Sequence, residues 1–106
     1  MIITLNDSNF AAETAKAEPI LVDFWATWCA PCMMQGKVLE ELNQKFPGLR
    51  IGKVNVDENR ALAMEYRVSA IPTMILFRND EIAETIVGLR QPQELLELFR
   101  RNGAEV

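Results

Sequence analysis

Ile20-Leu21-Val22-Asp23-Phe24-Trp25-Ala26-Thr27-Trp28-Cys29-Ala30-Pro31-Cys32 is the stretch on which the fold turns. From Ile20 to Ala26 it is apolar at nearly every position, and such a run reads as a strand covered on both faces, at the centre of an α/β sheet. From Pro31 onward the pattern becomes helical. Met34, Val38, Leu39, Leu42 and Phe46 fall on one face at 3.6-residue spacing, so Met34 is expected in the core. Pro31 suits a first helical turn, where its missing N–H is not needed, and Pro47-Gly48 closes the helix. Cys29 and Cys32 therefore stand where a buried strand hands over to a helix.

Outward from this junction, helix and strand signals alternate over the whole chain. A short strand is expected near Ile2 to Leu5, then a helix capped by Asp7 or Ser8 and running to about Lys16. Beyond the central helix, Arg50 to Asp57 reads as a strand and Arg60 to Tyr66 as a short helix carrying Ala61, Leu62 and Met64. Thr73 to Phe77 and Ile82 to Val87 read as strands joined by the hairpin Arg78-Asn79-Asp80-Glu81. Pro92 opens a last helix with Leu95, Leu96 and Phe99 turned inward. The order β-α-β-α-β-α-β-β-α predicts an α/β fold, a mixed sheet with helices on both faces.

The 106 residues fit one domain, residues 1–106, with a core that needs no metal or disulfide staple. Eleven Lys and Arg against fifteen Asp and Glu leave a net charge of −4, which argues against nucleic acid or an anionic membrane as partner. No apolar run approaches the roughly 20 residues of a membrane span. Met1-Ile2-Ile3-Thr4-Leu5-Asn6-Asp7 does not read as a signal peptide, so a cytoplasmic address is expected. The chain has no His, which removes the usual general base and excludes Ser–His and Cys–His hydrolysis within one chain.

The two Cys then carry the chemistry. Residues i and i+3 at a helix start lie on one face with Cβ atoms about 5–6 Å apart, a small adjustment from disulfide geometry. Cys29 at the helix N-terminus has unpaired N–H groups and the positive dipole end to stabilise a thiolate, the attacking species. Cys32, one turn inside, is expected to be more buried. The implied cycle is attack by Cys29 on a target disulfide, then resolution of the mixed disulfide by Cys32. Other readings stay open at this point. A structural disulfide closing so short a loop removes only about 2 kcal/mol of chain entropy. Zinc needs further ligands from carboxylates or a second chain, and no metal site is expected. An inert buried pair is the third reading.

Asp23 is the one charge in its apolar strand, so burial is expected to raise its pKa, which suits a proton acceptor. The alternative is an Asp merely hydrogen-bonded at a strand end.

Asp23-Phe24-Trp25-Ala26-Thr27-Trp28-Cys29-Ala30-Pro31-Cys32 resembles the active-site signature of the thioredoxin family. Lys53-Val54-Asn55-Val56-Asp57, Tyr66-Arg67-Val68-Ser69-Ala70-Ile71-Pro72-Thr73 and Val87-Gly88 resemble its later landmarks, in the same order and over essentially the whole chain. The resemblance implies a thioredoxin fold, a central mixed five-stranded sheet flanked by four helices. It implies a protein-disulfide reductase in which Cys29 is nucleophile, Cys32 resolves, Asp23 accepts a proton and Lys53 is its cationic partner. Pro72 would be cis and face the Cys pair, with the adjacent backbone pairing with a substrate peptide. Trp28, Ala30, Pro31, Ile71, Pro72 and Gly88 would form the surface that receives targets. A solvated Lys53, a trans Pro72 and an Ile71 used for core packing are the plainer readings of those residues.

The implied partners are disulfide-containing proteins and an NADPH-linked thioredoxin reductase as electron donor. No bound cofactor beyond the redox-active Cys29–Cys32 disulfide is expected, and a monomer suffices. Four departures from the family pattern stand out: Ala30 for the usual Gly, Met33 for a cationic residue, Lys37 for a helix-kinking Pro, and Asn79-Asp80 for Asn-Gly in the hairpin. Those around Cys32 motivate one alternative, a specialised exchange protein with a dedicated partner; a non-catalytic assembly subunit of the same fold is a second alternative. Ala30-Pro31 between the cysteines, with no polar residue, points to a reductant over an oxidase.

Overall fold

A computed structural model describes residues 1–106. The elements are β1 (Ile2–Thr4), α1 (Phe10–Thr14), β2 (Ile20–Trp25), α2 (Ala30–Lys45), β3 (Arg50–Asn55), α3 (Arg60–Glu65), β4 (Thr73–Arg78), β5 (Glu81–Val87) and α4 (Pro92–Arg101). The five strands form one mixed sheet in the order β1-β3-β2-β4-β5. β3 lies parallel to both β1 and β2, whereas β4 is antiparallel to β2 and to β5. No helix is long and apolar enough to cross a membrane.

Strand alternation divides the core in two. Leu21, Ile51, Met74 and Leu76 face one side and pack with Leu39 and Leu42 of α2 and Leu95, Leu98 and Phe99 of α4. Ile20, Val22, Phe24, Val54, Ile75 and Phe77 face the other and pack with Phe10 of α1 and Leu62 of α3. Every residue of β2 from Ile20 to Phe24 is buried, as its continuous apolar run requires. Asp23 follows Leu21 by two positions, so it shares the α2 and α4 side of the sheet. Its lateral neighbours there are Lys53 on β3 and Met74 on β4.

The hairpin between β4 and β5 is tight because Asn79 and Asp80 both take positive φ, 54° and 65°. A primed turn needs that backbone, which Asn and Asp adopt more readily than other non-glycine residues. The tip also serves α1: Asp80 N–H donates to Thr14 O and Asn79 N–H to Lys16 O. Those contacts satisfy carbonyls at the end of α1 that have no partner within the helix.

Two local expectations are corrected. Helix α1 begins after Asn9, not after Asp7 or Ser8, and it ends at Thr14. The Asn6 carboxamide oxygen takes the Ser8 N–H and hydroxyl, and Asn9 Oδ1 takes the Asn6 N–H, so a local turn occupies the place of the expected cap. Met34 is 57 % exposed. The inward face of α2 is instead Cys32, Gln35, Gly36, Leu39 and Leu42, a stripe rotated from the one drawn through Met34 and Val38. In α3 the buried positions are Leu62 and Ala63, while Met64 points out.

Candidate active site

Cys29 is the N-cap of α2, and Cys32 lies in its first turn. The cap backbone is extended, which turns the Cys29 side chain back over the helix start. There Sγ accepts the Cys32 N–H at 3.2 Å, one of the donors that a helix N-terminus leaves without a backbone partner. The two cysteines are joined, with Cα atoms 5.2 Å apart. In the reduced pair the same N–H and the positive end of a 16-residue helix favour Cys29 as thiolate. Cys29 keeps 6 % of its surface, and Cys32 keeps none. Only the first residue of the pair therefore reaches the surface. No group of three or more His, Cys, Asp and Glu side chains is arranged to hold a metal ion.

The peptide bond Ile71–Pro72 is cis. The loop it shapes stands against the pair, with Ile71 O 3.8 Å from Cys29 Sγ. Ile71 is half-buried and Pro72 buried, so Ile71 presents side chain and Pro72 presents a wall. Pro72 O accepts the N–H of Gly88 at 2.9 Å, which joins this loop to the one that follows β5. Gly88 has φ +96°, a conformation that a side chain would strain. Trp28, Ala30 and Pro31 are exposed on the other side of the pair, Trp28 by 70 %. Its indole is nevertheless fixed, since Nε1–H donates to Asp57 Oδ2 at 2.9 Å.

Asp23 is wholly buried, and neither carboxylate oxygen has a hydrogen-bond donor. Loss of hydration lifts its pKa from 3.8 to about 7, against the opposing pull of Lys53. The Lys53 ammonium lies 3.9 Å from Asp23 Oδ2, an ion pair without a close hydrogen bond, and 4.6 Å from the centre of the Trp25 ring. It also runs beneath Gly36, where a Cβ would come within 3.2 Å of Nζ. Gly36 and Cys32 are four residues apart on one buried face of α2. The carboxyl and its cation therefore lie under the helical turn that follows Cys32.

Each residue expected at the site except Lys37 and Asn79-Asp80, which are departures away from it, is thus gathered at the N-terminal end of α2 and the sheet beneath it. Sequence reasoning missed three contributors. Asp57 reads from the sequence as a strand end within a family landmark, with no sign of its contact to Trp28 across 29 residues. Gly36 leaves room for the Lys53 ammonium. Gln35 went unremarked, although its spacing from Cys32 and Leu39 was the available signal.

Residues 1–101 match the family model described as Thioredoxin. The chain is 42 % identical over 102 residues to the thioredoxin of Bacillus subtilis, covering 95 % of this chain and 97 % of that one. It is 38 % identical over 104 residues to the thioredoxin of Rickettsia felis, covering 96 % and 99 %. Among solved structures, a thioredoxin of Malassezia sympodialis superposes with a TM-score of 0.85 at 31 % identity, covering 97 % of this chain and 94 % of that one. A helix-capping Cys pair that can close and open, in a chain of this descent, is the working part of a thiol–disulfide oxidoreductase. With its five-stranded mixed sheet, four helices and Cys-Ala-Pro-Cys pair, the chain belongs to the thioredoxin family.

Proposed function

We propose that this chain is a general protein-disulfide reductant of the cytoplasm, working as a monomer and recharged by an NADPH-linked thioredoxin reductase. The observation that carries the reading is the asymmetry of the pair: a capping, reachable Cys29 in front of a fully buried Cys32. Electrons then flow in two steps. The Cys29 thiolate attacks one sulfur of a target disulfide, forming a mixed disulfide and releasing the first target thiolate. Asp23 takes the proton of Cys32, and the Cys32 thiolate attacks Cys29 sulfur. The Cys29–Cys32 bond forms, the second target thiolate leaves, and the target has gained two electrons. Lys53 offsets the carboxylate charge at 3.9 Å and holds it in place. Because every one of these groups comes from one chain, no second copy is needed.

The target is received on Trp28, Ala30, Pro31, Ile71, Pro72 and Gly88. Exposed Trp28, Ala30 and Pro31 beside Cys29, with the half-buried Ile71 and the backbone of the Ile71–Pro72 loop against it, suit an extended peptide held beside its disulfide. The test is coupled reduction of insulin. With NADPH and a bacterial thioredoxin reductase, catalytic amounts of the chain are expected to sustain insulin reduction at rates comparable to those driven by dithiothreitol. Activity with dithiothreitol and none with the reductase would point to a dedicated donor and a specialised role. Full biological function in a Cys29→Ser, Cys32→Ser double variant would point to an assembly subunit.

A further inference from the structure

Gln35 is fully buried one turn after Cys32, on the same inward face of α2. A primary amide at such a position is costly if its polar atoms go unpaired, so an aliphatic residue is the default there. Here both ends of the amide are used, and both on one residue. Gln35 Oε1 accepts the Arg90 N–H at 2.7 Å, and Gln35 Nε2 donates to Arg90 O at 3.1 Å. Arg90 belongs to the loop between β5 and α4, two residues after Gly88. Its own side chain folds back over that loop: Nη1 donates to Leu89 O at 3.2 Å and lies 3.4 Å from where a Gly88 Cβ would stand. Gly88 in turn donates to Pro72 O at 2.9 Å. Two hydrogen bonds at Arg90 and one at Gly88, joined by the short covalent segment between those residues, thus link the Cys-bearing helix to the cis-proline loop.

We propose that Gln35 is a positioning residue for substrate docking: its two hydrogen bonds to Arg90 fix the Gly88 loop, and through it the Ile71–Pro72 loop, at a set distance from the Cys pair. This rests on the reading of Ile71, Pro72 and Gly88 as the target-receiving surface. Surface loops are the mobile parts of a fold, and a target peptide that must order them binds less tightly. Gln35 removes that cost by tying the loop to a rigid helix. Its contribution appears in docking of an extended protein target, and it leaves the sulfur chemistry as it is.

The experiment is single-turnover reduction of excess insulin by the pre-reduced full chain, with Gln35→Met beside the parent. Half-saturation is expected to rise by about 3- to 10-fold, the loss that follows from a docking site no longer preorganised. The maximal rate, the reduction potential and the rate with a small aromatic disulfide are expected to stay unchanged. Ile71→Ser is run in parallel. If it raises half-saturation and Gln35→Met does not, the role of Gln35 is overturned and the docking surface stands. If neither raises it, the docking surface falls and the inference with it. A Gln35→Met variant that loses maximal rate or shifts the potential overturns the inference by showing a different role. Amide exchange in the parent protein tests the clamp without any variant. Arg90 N–H is expected to exchange as slowly as the β4–β5 ladder, and exchange at the speed of an open loop overturns it.

Discussion

In a Cys32→Ser variant mixed with insulin, a covalent adduct through Cys29 accumulates to near stoichiometry, and catalytic turnover falls by at least about a thousandfold, as expected when one member of an interdependent catalytic unit is removed. The reason lies in the burial of the two sulfurs. Cys29 caps α2 with its sulfur against the Cys32 N–H, and that donor is a backbone group that survives the substitution. Attack on the target therefore proceeds. What is lost is the only thiol able to reach Cys29 sulfur from inside, since Cys32 has no exposed surface and no other cysteine exists in the chain. Release then waits for an external thiol. Cys29→Ser gives the opposite result, neither adduct nor turnover, because the remaining thiol is sealed from targets. Intact-mass measurement of the two variants, with and without dithiothreitol, reads both outcomes. Equal adduct formation by the two variants would sink the division of labour.

Asp23→Asn is expected to stabilise the fold and slow the chemistry. Burial lifts the pKa of Asp23 from 3.8 to about 7. At roughly 1.4 kcal/mol per pH unit, holding the charged carboxyl inside the fold costs on the order of 4 kcal/mol, an upper figure given that water entry relaxes such sites. The sign follows from proton binding. Between pH 3.8 and about 7 the folded chain keeps a proton that the unfolded chain has lost. Stability contributed by neutral Asp23 is complete below that window, falls as pH rises through it, and is gone above it. Asn does not titrate, so urea unfolding of the variant should show a flatter profile from pH 4 to 8. At pH 8 it should be more stable than the parent by about 2–4 kcal/mol.

Kinetically, the parent should resolve its mixed disulfide faster as pH rises through about 7, where Asp23 becomes a base. The Asn variant should lack that step and resolve about a hundredfold more slowly, the lower end of what a positioned base supplies. Stopped-flow fluorescence from Trp28, which lies exposed beside the pair, follows the reaction. Resolution rates equal in both proteins at every pH would remove Asp23 from the proton transfer.

Much of this was legible before any coordinates. The run Ile20 to Ala26 gave a buried central strand because burial on both faces leaves no polar alternation to confuse it. Asp23 stood out as the one charge within that run, and the spacing of Cys29 and Cys32 at a strand-to-helix junction pointed to exchange chemistry. The thioredoxin resemblance supplied what residue physics could not, including the cis bond at Pro72 and the opposing loop. What stayed hidden was tertiary. On α2 the inward stripe includes Gln35 and Gly36, neither of which looks apolar. Their burial is justified by groups far away in sequence, the Arg90 backbone for one and the Lys53 ammonium for the other. With two of its members disguised, the stripe was drawn through Met34, which is exposed. Asp7 and Ser8 failed as caps for a local reason, a turn organised by Asn6.

The most direct measurement of the central claim, that this pair hands electrons to protein disulfides, is an equilibrium redox titration of Cys29–Cys32 against dithiothreitol at pH 7. A potential near −270 mV, the value of thioredoxin itself, is predicted, which makes the dithiol a reductant for most protein targets. A value near −120 mV, that of the strong oxidant DsbA, would reverse the direction of electron flow and contradict the account.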